Sequence, residues 1–191
     1  MLSDKIWITR KSRIYTEQRL LRNNSIAQTL IFYYSAGLVF LSIWNLQYPD
    51  SQIEVLLIIA SIAVLIISVL LSSQNYLQRS FIIKNCYIKL DELYSKVLRA
   101  QENKETKQIE LFESEYTSLM LNTENHSDYD YLCLRFNLRN DNQSKLPTLT
   151  NYDYYLYFWG KFWRIIVYIF YFISPIAIAF LWIFRNYVCF K

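Results

Sequence analysis

Two long apolar runs near the start of the chain constrain its fold more than any other feature. They cover residues 26–46 and 53–71, and only the short stretch from Gln47 to Gln52 separates them. At about 1.5 Å of rise per helical residue, a run of about 20 residues crosses a hydrocarbon core roughly 30 Å thick. The short stretch contains no Lys or Arg. We therefore predict a transmembrane helical hairpin over residues 25–73, which excludes most classes of soluble enzyme.

A third apolar run, residues 165–184, lies between Arg164 and Arg185. It follows a segment, residues 152–163, in which eight side chains are aromatic. Aromatic residues of this kind are typical of the membrane interface. Pro175 lies inside the run, and a membrane helix tolerates it when a neighbouring group satisfies the freed carbonyl. We predict an aromatic segment and a third transmembrane helix over residues 151–191.

The region between the hairpin and this segment, residues 74–150, is predicted to be a cytoplasmic helical domain. The whole chain contains only two Gly and three Pro, which favours long helices over sheets and turns. No helix breaker follows Ser72, so we expect the second membrane helix to continue as a stalk. Two amphipathic stripes, within residues 83–97 and 109–119, are separated by charged residues and predict an antiparallel helix pair.

Two further helices complete the predicted fold. Ser127 is placed to cap a short helix from Asp128 to about Leu138. Residues 1–24 are predicted to form a basic amphipathic cytoplasmic helix. It suits a position packed on the cytoplasmic domain, and it equally suits a position beneath the membrane with Ile6, Trp7, Ile14 and Leu21 against the lipid. The predicted fold is an all-α membrane protein, in which a transmembrane helical hairpin continues into a cytoplasmic helical stalk and a third C-terminal transmembrane helix follows.

The distribution of charge indicates the orientation of these helices. The first 24 residues carry six basic and two acidic side chains, whereas residues 74–164 carry twelve of each. By the positive-inside rule, the N-terminus and residues 74–160 are expected in the cytoplasm and the hairpin turn outside. The tail residues Arg185 and Lys191 then lie outside, which is a mild departure from the rule.

The sequence contains no motif for catalysis, metal binding or nucleotide binding. Two glycines cannot form a glycine-rich nucleotide loop, and no HExxH, GxSxG or paired-cysteine pattern occurs. The one histidine, His126, has the residue types of a metal ligand or general base around it, but such a histidine more often belongs to a local hydrogen-bond network. Its acidic neighbours are Glu124, Asp128 and Asp130. We expect no catalytic residue, no metal and no cofactor, and the neutral cytoplasmic region argues against direct nucleic-acid binding.

Polar residues recur at seven-residue intervals within the first two apolar runs. Seven residues make almost two helical turns, so each series stays on one helix face. One interpretation is that these residues let the helices pack closely and hydrogen-bond to one another. The other is that in an oligomer one series lines a water-filled path, with Asp50 and Glu54 forming an acidic ring that favours cations. The two series are Gln28, Ser35 and Ser42, and Glu54, Ser61 and Ser68.

A short motif links the chain to a known family. Tyr116 is followed by the string Glu124-Asn125-His126-Ser127 and then by Asp130-Tyr131. With the basic N-terminal helix, the hairpin and the stalk, this motif resembles the SLATT family of small bacterial two-transmembrane effectors. The resemblance covers about residues 5–135, and the third apolar run departs from the two-helix pattern of the family.

The resemblance implies a pore-forming effector of bacterial conflict systems that permeabilises the inner membrane as a homo-oligomer and so aborts infection. Its activating partner would act in trans, as a second-messenger synthase, a nucleotide sensor or a reverse transcriptase. The alternative function is a non-conducting membrane anchor that recruits or regulates a partner enzyme. The motif residues are expected to hold the cytoplasmic helices together or to receive the signal; they are Tyr116, Glu124, Asn125, His126, Ser127, Asp130 and Tyr131.

Overall fold

The chain is helical almost throughout. The computed structural model describes residues 1–140 and 146–189, and it describes their side chains except at 178, 179 and 181–189. In these residues the chain forms helices and no strand, so the predicted all-α fold is confirmed. Residues 141–145 of the predicted cytoplasmic domain, and the tail side chains of Arg185 and Lys191, lie outside this part. The helices are α1 (Leu2–Gln47), α2 (Ser51–Ser73), α3 (Tyr76–Glu102), α4 (Thr106–Leu121), α5 (Asp128–Asn137) and α6 (Asn151–Cys189).

Three long apolar helices can cross a membrane by their length and composition. Within the described residues these segments are Leu2–Gln47, Ser51–Glu102 and Asn151–Ala177. The second of them contains both α2 and α3, and the third contains the aromatic segment and the start of the third apolar run. The two apolar helices of the predicted hairpin and the predicted third apolar helix are therefore present as helices that could span a membrane.

The chain passes from α2 into α3 through one local break that the sequence did not indicate. Asn75 has φ 49°, in the left-handed region that Asn tolerates better than most residues. The break leaves few carbonyls unpaired, because the Gln74 N–H donates to Leu71 O at 3.3 Å and the Asn75 N–H donates to Ser72 O at 3.2 Å. The stalk therefore follows the membrane helix, as predicted, but as a separate helix.

The chain divides into two compact units. The first consists of Met1–Asn23 and Tyr76–Phe158 and contains the start of α1, α3, α4, α5 and the start of α6. The second consists of Asn24–Asn75 and the residues from Trp159 onward, and it contains the three apolar runs. We call these the helical unit and the membrane unit.

The core of the helical unit lies between α1, α3 and α4. Its buried members come from the predicted stripe on α3, from Tyr116 of α4 and from Ile6 of α1. The side chains of Cys86 and Thr123 approach to 3.6 Å, and those of Lys96 and Glu115 to 3.9 Å, so the two helices run antiparallel as predicted. The buried α3 residues are Ser80, Ile83, Cys86, Leu90, Leu93, Val97 and Ala100.

The first 23 residues pack on the helical unit and form the start of the 46-residue helix α1. Ile6 and Leu20 are completely buried, whereas Leu21 is 41% exposed. Of the two interpretations of this segment, the structure supports a packed helix, because Ile6 belongs to the core and is not available to a membrane surface.

Helix α5 positions the start of α6 within the helical unit. The predicted short helix is confirmed as Asp128–Asn137, with Ser127 as its N-cap. Arg135 of α5 donates to both carboxylate oxygens of Asp153, at 3.2 and 2.9 Å. The ring of Phe136 stacks on that of Tyr157 with centroids 3.8 Å apart. An ion pair and an aromatic stack therefore hold α6 against α5.

In the membrane unit, α1 contacts α6 beside the proline. Pro175 has no N–H to donate to the carbonyl of Tyr171, four residues earlier. The hydroxyl of Tyr34 donates to that carbonyl at 2.9 Å, and the hydroxyl of Tyr33 donates to Phe172 O at 3.1 Å. The expectation that a neighbouring group satisfies the freed carbonyl is confirmed, and the group is a tyrosine of α1.

Candidate functional site

The motif singled out in the sequence surrounds one face of α1 in the helical unit. Four α1 residues at offsets of three and four reach it, and they therefore lie on one side of the helix. We call the contacts of these residues with the motif the α1 network. It consists of Thr9, Arg13, Thr16 and Arg19 of α1 with Tyr116, Glu124 and Asp130.

Asp130 receives the largest number of these contacts. Its carboxylate is 2% exposed; it accepts from Arg19 Nε at 2.9 and 3.1 Å and from Thr16 Oγ1 at 3.0 Å. The same carboxylate accepts from the Ser127 N–H at 3.2 Å, and the Asp130 N–H donates to Ser127 Oγ at 3.2 Å. This reciprocal pair is a capping box, so one side chain both begins α5 and binds α1.

Asp130 is ionised in the folded protein at neutral pH. Burial raises the pKa of this carboxyl, but the hydrogen bonds and charge of Arg19, together with the hydrogen bonds of Ser127, outweigh it. The pKa of Asp130 therefore lies below its ordinary value of 3.8. A buried carboxylate of this kind is stable only while its partners stay in place.

Arg13 is the largest completely buried side chain of the α1 network. It is 1% exposed; its Nη1 donates to the backbone oxygen of Glu124 at 2.6 Å and its Nη2 to Met120 Sδ at 3.3 Å. The carboxylate of Glu124 accepts from Arg79 Nε of α3 at 2.9 Å. Glu124 therefore links α1 to α3 through its backbone and its side chain.

Tyr116 belongs both to the α1 network and to the apolar core. Its ring is 6% exposed, and its hydroxyl lies 3.0 Å from Thr9 Oγ1. Lys5 Nζ lies 5.2 Å from the centre of the ring, in the geometry of a cation–π contact. Tyr116 therefore contributes both apolar area and a polar link to α1.

The remaining motif residues lie around this network. The His126 ring is half-buried and its centre lies 6.0 Å from that of Tyr131. The exposed Asn125 accepts from the His126 N–H at 3.0 Å, which shapes the turn before α5. Arg135 lies over the Tyr131 ring at 5.9 Å. These residues therefore support the segment between α4 and α5.

His126 is neutral at neutral pH. Burial lowers the pKa of this imidazole and the charge of Arg13 lowers it further, whereas Asp130 and Asp128 raise it in part. The resulting pKa lies below the ordinary value of 6.5. Within residues 1–140 and 146–189, no group of three His, Cys, Asp or Glu side chains is arranged to hold a metal ion.

The polar series of the apolar runs lie apart from this motif, in the membrane unit. The hydroxyls of Ser42, Ser61 and Ser68 each donate at 2.8 Å to a carbonyl of their own helix, three or four residues earlier. Gln28, Ser42, Glu54 and Ser61 are exposed, and Ser35 and Ser68 are half-buried.

The two acidic residues at the hairpin turn have different positions. Asp50 is the N-cap of α2, because its carboxylate accepts from the Gln52 N–H at 2.9 Å. Its own N–H donates to the buried Asn45 at 3.1 Å. Glu54 lies in the first turn of α2 with an exposed side chain. Asp50 thus caps α2 at this turn, whereas the Glu54 side chain is exposed.

The motif was predicted from the sequence, but its partners on α1 and α3 were not. Thr9, Arg13, Thr16 and Arg19 share one helix face, and this pattern was present in the sequence. A basic N-terminal segment, however, is equally compatible with lipid headgroups, so it did not point to Glu124 or Asp130. The second ion pair of α5, between Arg135 and Asp153, was also missed.

Comparison with known proteins confirms the family that the motif indicated. A family model described as SMODS and SLOG-associating 2TM effector domain family 5 matches residues 1–181. Neither a curated protein nor a solved structure matches the chain. The match is longer than the expected residues 5–135 and reaches past Pro175, so it includes most of the third apolar run. Because the match covers nearly the whole chain, this protein belongs to SMODS and SLOG-associating 2TM effector domain family 5, one of the SLATT families of membrane-associated effectors in conflict systems.

Proposed function

We propose that this protein assembles into a homo-oligomeric pore that a defence-system partner opens. The observation that carries the proposal is the exposure of α2. Apart from Ile53, no α2 residue is buried, although α2 is the most apolar of the helices. Lipid would suit an entirely apolar helix, but α2 also carries a polar face.

The polar face of α2 favours contact with water or with other copies over contact with lipid. Glu54 and Ser61 are exposed, and the half-buried Ser68 continues their line at the same seven-residue interval. Each serine already donates to its own helix, so the strongest preference for water on this face comes from the Glu54 carboxylate. Polar and ionisable side chains within membrane helices are costly against lipid and usually line a cavity or an interface. In an oligomer, the polar face of α2 can line the water-filled path while its apolar faces contact lipid or other subunits.

The proposal includes a location and a partner. The location is the bacterial inner membrane, with the N-terminus and residues 74–160 in the cytoplasm, where the motif meets the partner. The partner is a second-messenger synthase, a nucleotide sensor or a reverse transcriptase acting in trans. Opening the pore dissipates ion gradients and aborts infection, and no catalytic step is required of this chain.

Ion flux in liposomes tests the pore and the role of Glu54. A closed pore still populates its open state to a small extent, so purified full-length protein at high density should carry a small current across a planar bilayer or release ions slowly from liposomes. In Glu54→Gln, loss of one negative charge per subunit should move the reversal potential in a salt gradient toward zero, because cation selectivity weakens. Glu113→Gln is the matched control, since Glu113 is an exposed carboxylate on α4 of the helical unit.

Two results would decide against parts of this proposal. Unchanged selectivity in Glu54→Gln removes Glu54 from the ion path. Co-purification of a partner enzyme, without conductance or loss of membrane potential in cells that express the protein, supports a membrane anchor.

A further inference from the structure

We propose that the α1 network is a latch: docking of residues 2–23 holds the resting state, and their release from Glu124 and Asp130 is the activating step. The proposal rests on the proposed function, because the activated state is the open pore. It adds the part of the molecule that moves and the contacts that must break.

The docked face of α1 is mainly polar. Ser3, Thr9, Ser12, Arg13 and Thr16 are buried on it beside the apolar Ile6 and Leu20. Several of its hydroxyls already donate to their own helix, as Ser12 Oγ does to Ile8 O at 2.9 Å. Water can replace the hydrogen bonds that such a face makes with its neighbours.

The neighbouring interface between α3 and α4 is different. The apolar cluster there includes Cys86, Leu90, Leu93 and Val97 of α3. Helix α4 adds Tyr116, Phe112, Leu119 and Met120, whereas α1 adds only Leu2 and Ile6, and water cannot replace these apolar contacts. Detaching α1 therefore exposes less apolar surface than separating α3 from α4. We expect α1 to leave while the α3–α4 pair stays intact.

Buried polar atoms without a hydrogen-bond partner give a second, independent observation. Among the described residues four such atoms occur, and all belong to residues where α1 meets α3 or the motif. They are Arg10 Nε, Arg13 Nε, Glu124 Oε1 and His126 Nδ1. The two arginine atoms belong to α1 and raise the free energy of the docked arrangement, since hydration on release would satisfy them. The charged contacts of the α1 network offset this free-energy cost and keep α1 docked.

The released segment is continuous with the membrane unit through the chain. Residues 2–23 are the first half of the helix that also contains the first apolar run and ends at Gln47. A signal that competes for Glu124 or Asp130 therefore acts on the segment that leads directly into the first membrane span.

Arg19→Ala tests the latch, with Lys96→Ala as the control. Arg19 of α1 pairs with Asp130 of the motif at 2.9 Å, whereas Lys96 pairs with Glu115 at 3.9 Å between α3 and α4. Undocking is measured as the rate of thiol labelling at Ser12→Cys, located by mass spectrometry, since Ser12 is completely buried. In full-length protein in liposomes, Arg19→Ala should accelerate this labelling by roughly tenfold or more and raise conductance without a partner. Lys96→Ala should leave both at the wild-type level.

A second, milder variant tests whether misfolding explains the result for Arg19→Ala. Thr16→Val keeps the side-chain volume and removes the hydroxyl that donates to Asp130, so it should give a smaller change of the same sign. Arg19→Lys should restore part of the wild-type behaviour. Unchanged labelling in Arg19→Ala overturns the latch. If the wild-type protein conducts, faster labelling in Arg19→Ala at an unchanged conductance overturns it as well. Faster labelling with no conductance in any variant contradicts the pore instead.

Discussion

At the scale of the residue, Asp130 shows how one side chain joins local and long-range structure. It completes the capping box of α5 with Ser127, three residues away, and it binds Arg19, which is 111 residues away. A shorter or neutral side chain would lose one of these tasks. The charge of Arg19 also keeps the carboxylate ionised despite burial. The nearby His126 has the opposite property, because the folded protein favours its neutral form.

The neutral state of His126 predicts a dependence of stability on pH. The groups around it are Arg13 from α1, Asp128 and Asp130 from α5, and Glu124 from the preceding segment. Its folded pKa lies below its unfolded value of 6.5. At pH values between these two pKa values, the unfolded state therefore binds more protons than the folded state. The free energy of unfolding should therefore be largest above 6.5 and fall as the pH drops through this value toward the folded pKa.

His126→Gln should remove this component of the pH dependence. Chemical unfolding of the purified protein in detergent, followed from pH 8 to about pH 5, measures it. Asp130 acts in a lower window: its contribution is present above 3.8 and is lost as the pH falls below that value toward its folded pKa. An equal slope in wild type and His126→Gln between about pH 7 and pH 5 would contradict the assignment to His126.

At the scale of the element, the proline of α6 shows how a membrane helix depends on its neighbour. Pro175 leaves the Tyr171 carbonyl without its helical donor, and Tyr34 of α1 supplies one. In hydrocarbon no water can take that role. The hydroxyl of Ser174 also lies 3.3 Å from that of Tyr34, so the same tyrosine has a second polar neighbour on α6.

A double-mutant cycle at this position tests the contact. Tyr34→Phe should destabilise the protein by about 1 kcal/mol, because the Tyr171 carbonyl loses its donor. In a Pro175→Ala background residue 175 has an N–H for that carbonyl, so Tyr34→Phe should cost less. Thermal unfolding in detergent measures both costs. Equal costs in the two backgrounds would show that Tyr34 does not substitute for the helical donor.

At the scale of the whole molecule, three apolar helices occur in a family described by two. The family match runs to residue 181 and so includes most of the third run. The three candidate spans are otherwise similar in being long, apolar and little buried within the chain. Whether the third helix crosses the membrane decides on which side the chain ends, and this can be measured.

Reporter fusions test the topology. Alkaline phosphatase fused after Asp50 should be active, because the hairpin turn is expected outside. A green fluorescent protein fused to the N-terminus should fluoresce in the cytoplasm. Phosphatase fused to the C-terminus should be active if the third helix crosses. A fluorescent, phosphatase-inactive C-terminal fusion would show that the third helix does not cross and that the chain has two spans.

Features that depend on local sequence were predicted correctly. The apolar runs predicted three helices that are long and apolar enough to span hydrocarbon, because length and composition are local properties of the sequence. The stripe from Ile83 to Val97 predicted the buried face of α3, and Ser127 predicted the start of α5, because helix periodicity and capping act over a few residues. The break at Asn75 was not predicted, since a single Asn also occurs within helices.

The sequence by itself therefore determined the apolar helices, the α3–α4 pair, the motif and its family. Only the tertiary structure decided that residues 2–23 pack on that motif, that Arg19 pairs with Asp130, and that Tyr34 serves the carbonyl beside Pro175. These contacts join residues more than 100 positions apart. A basic helix face meets lipid or protein with the same residue types, and the choice between them depends on which surfaces the rest of the fold presents.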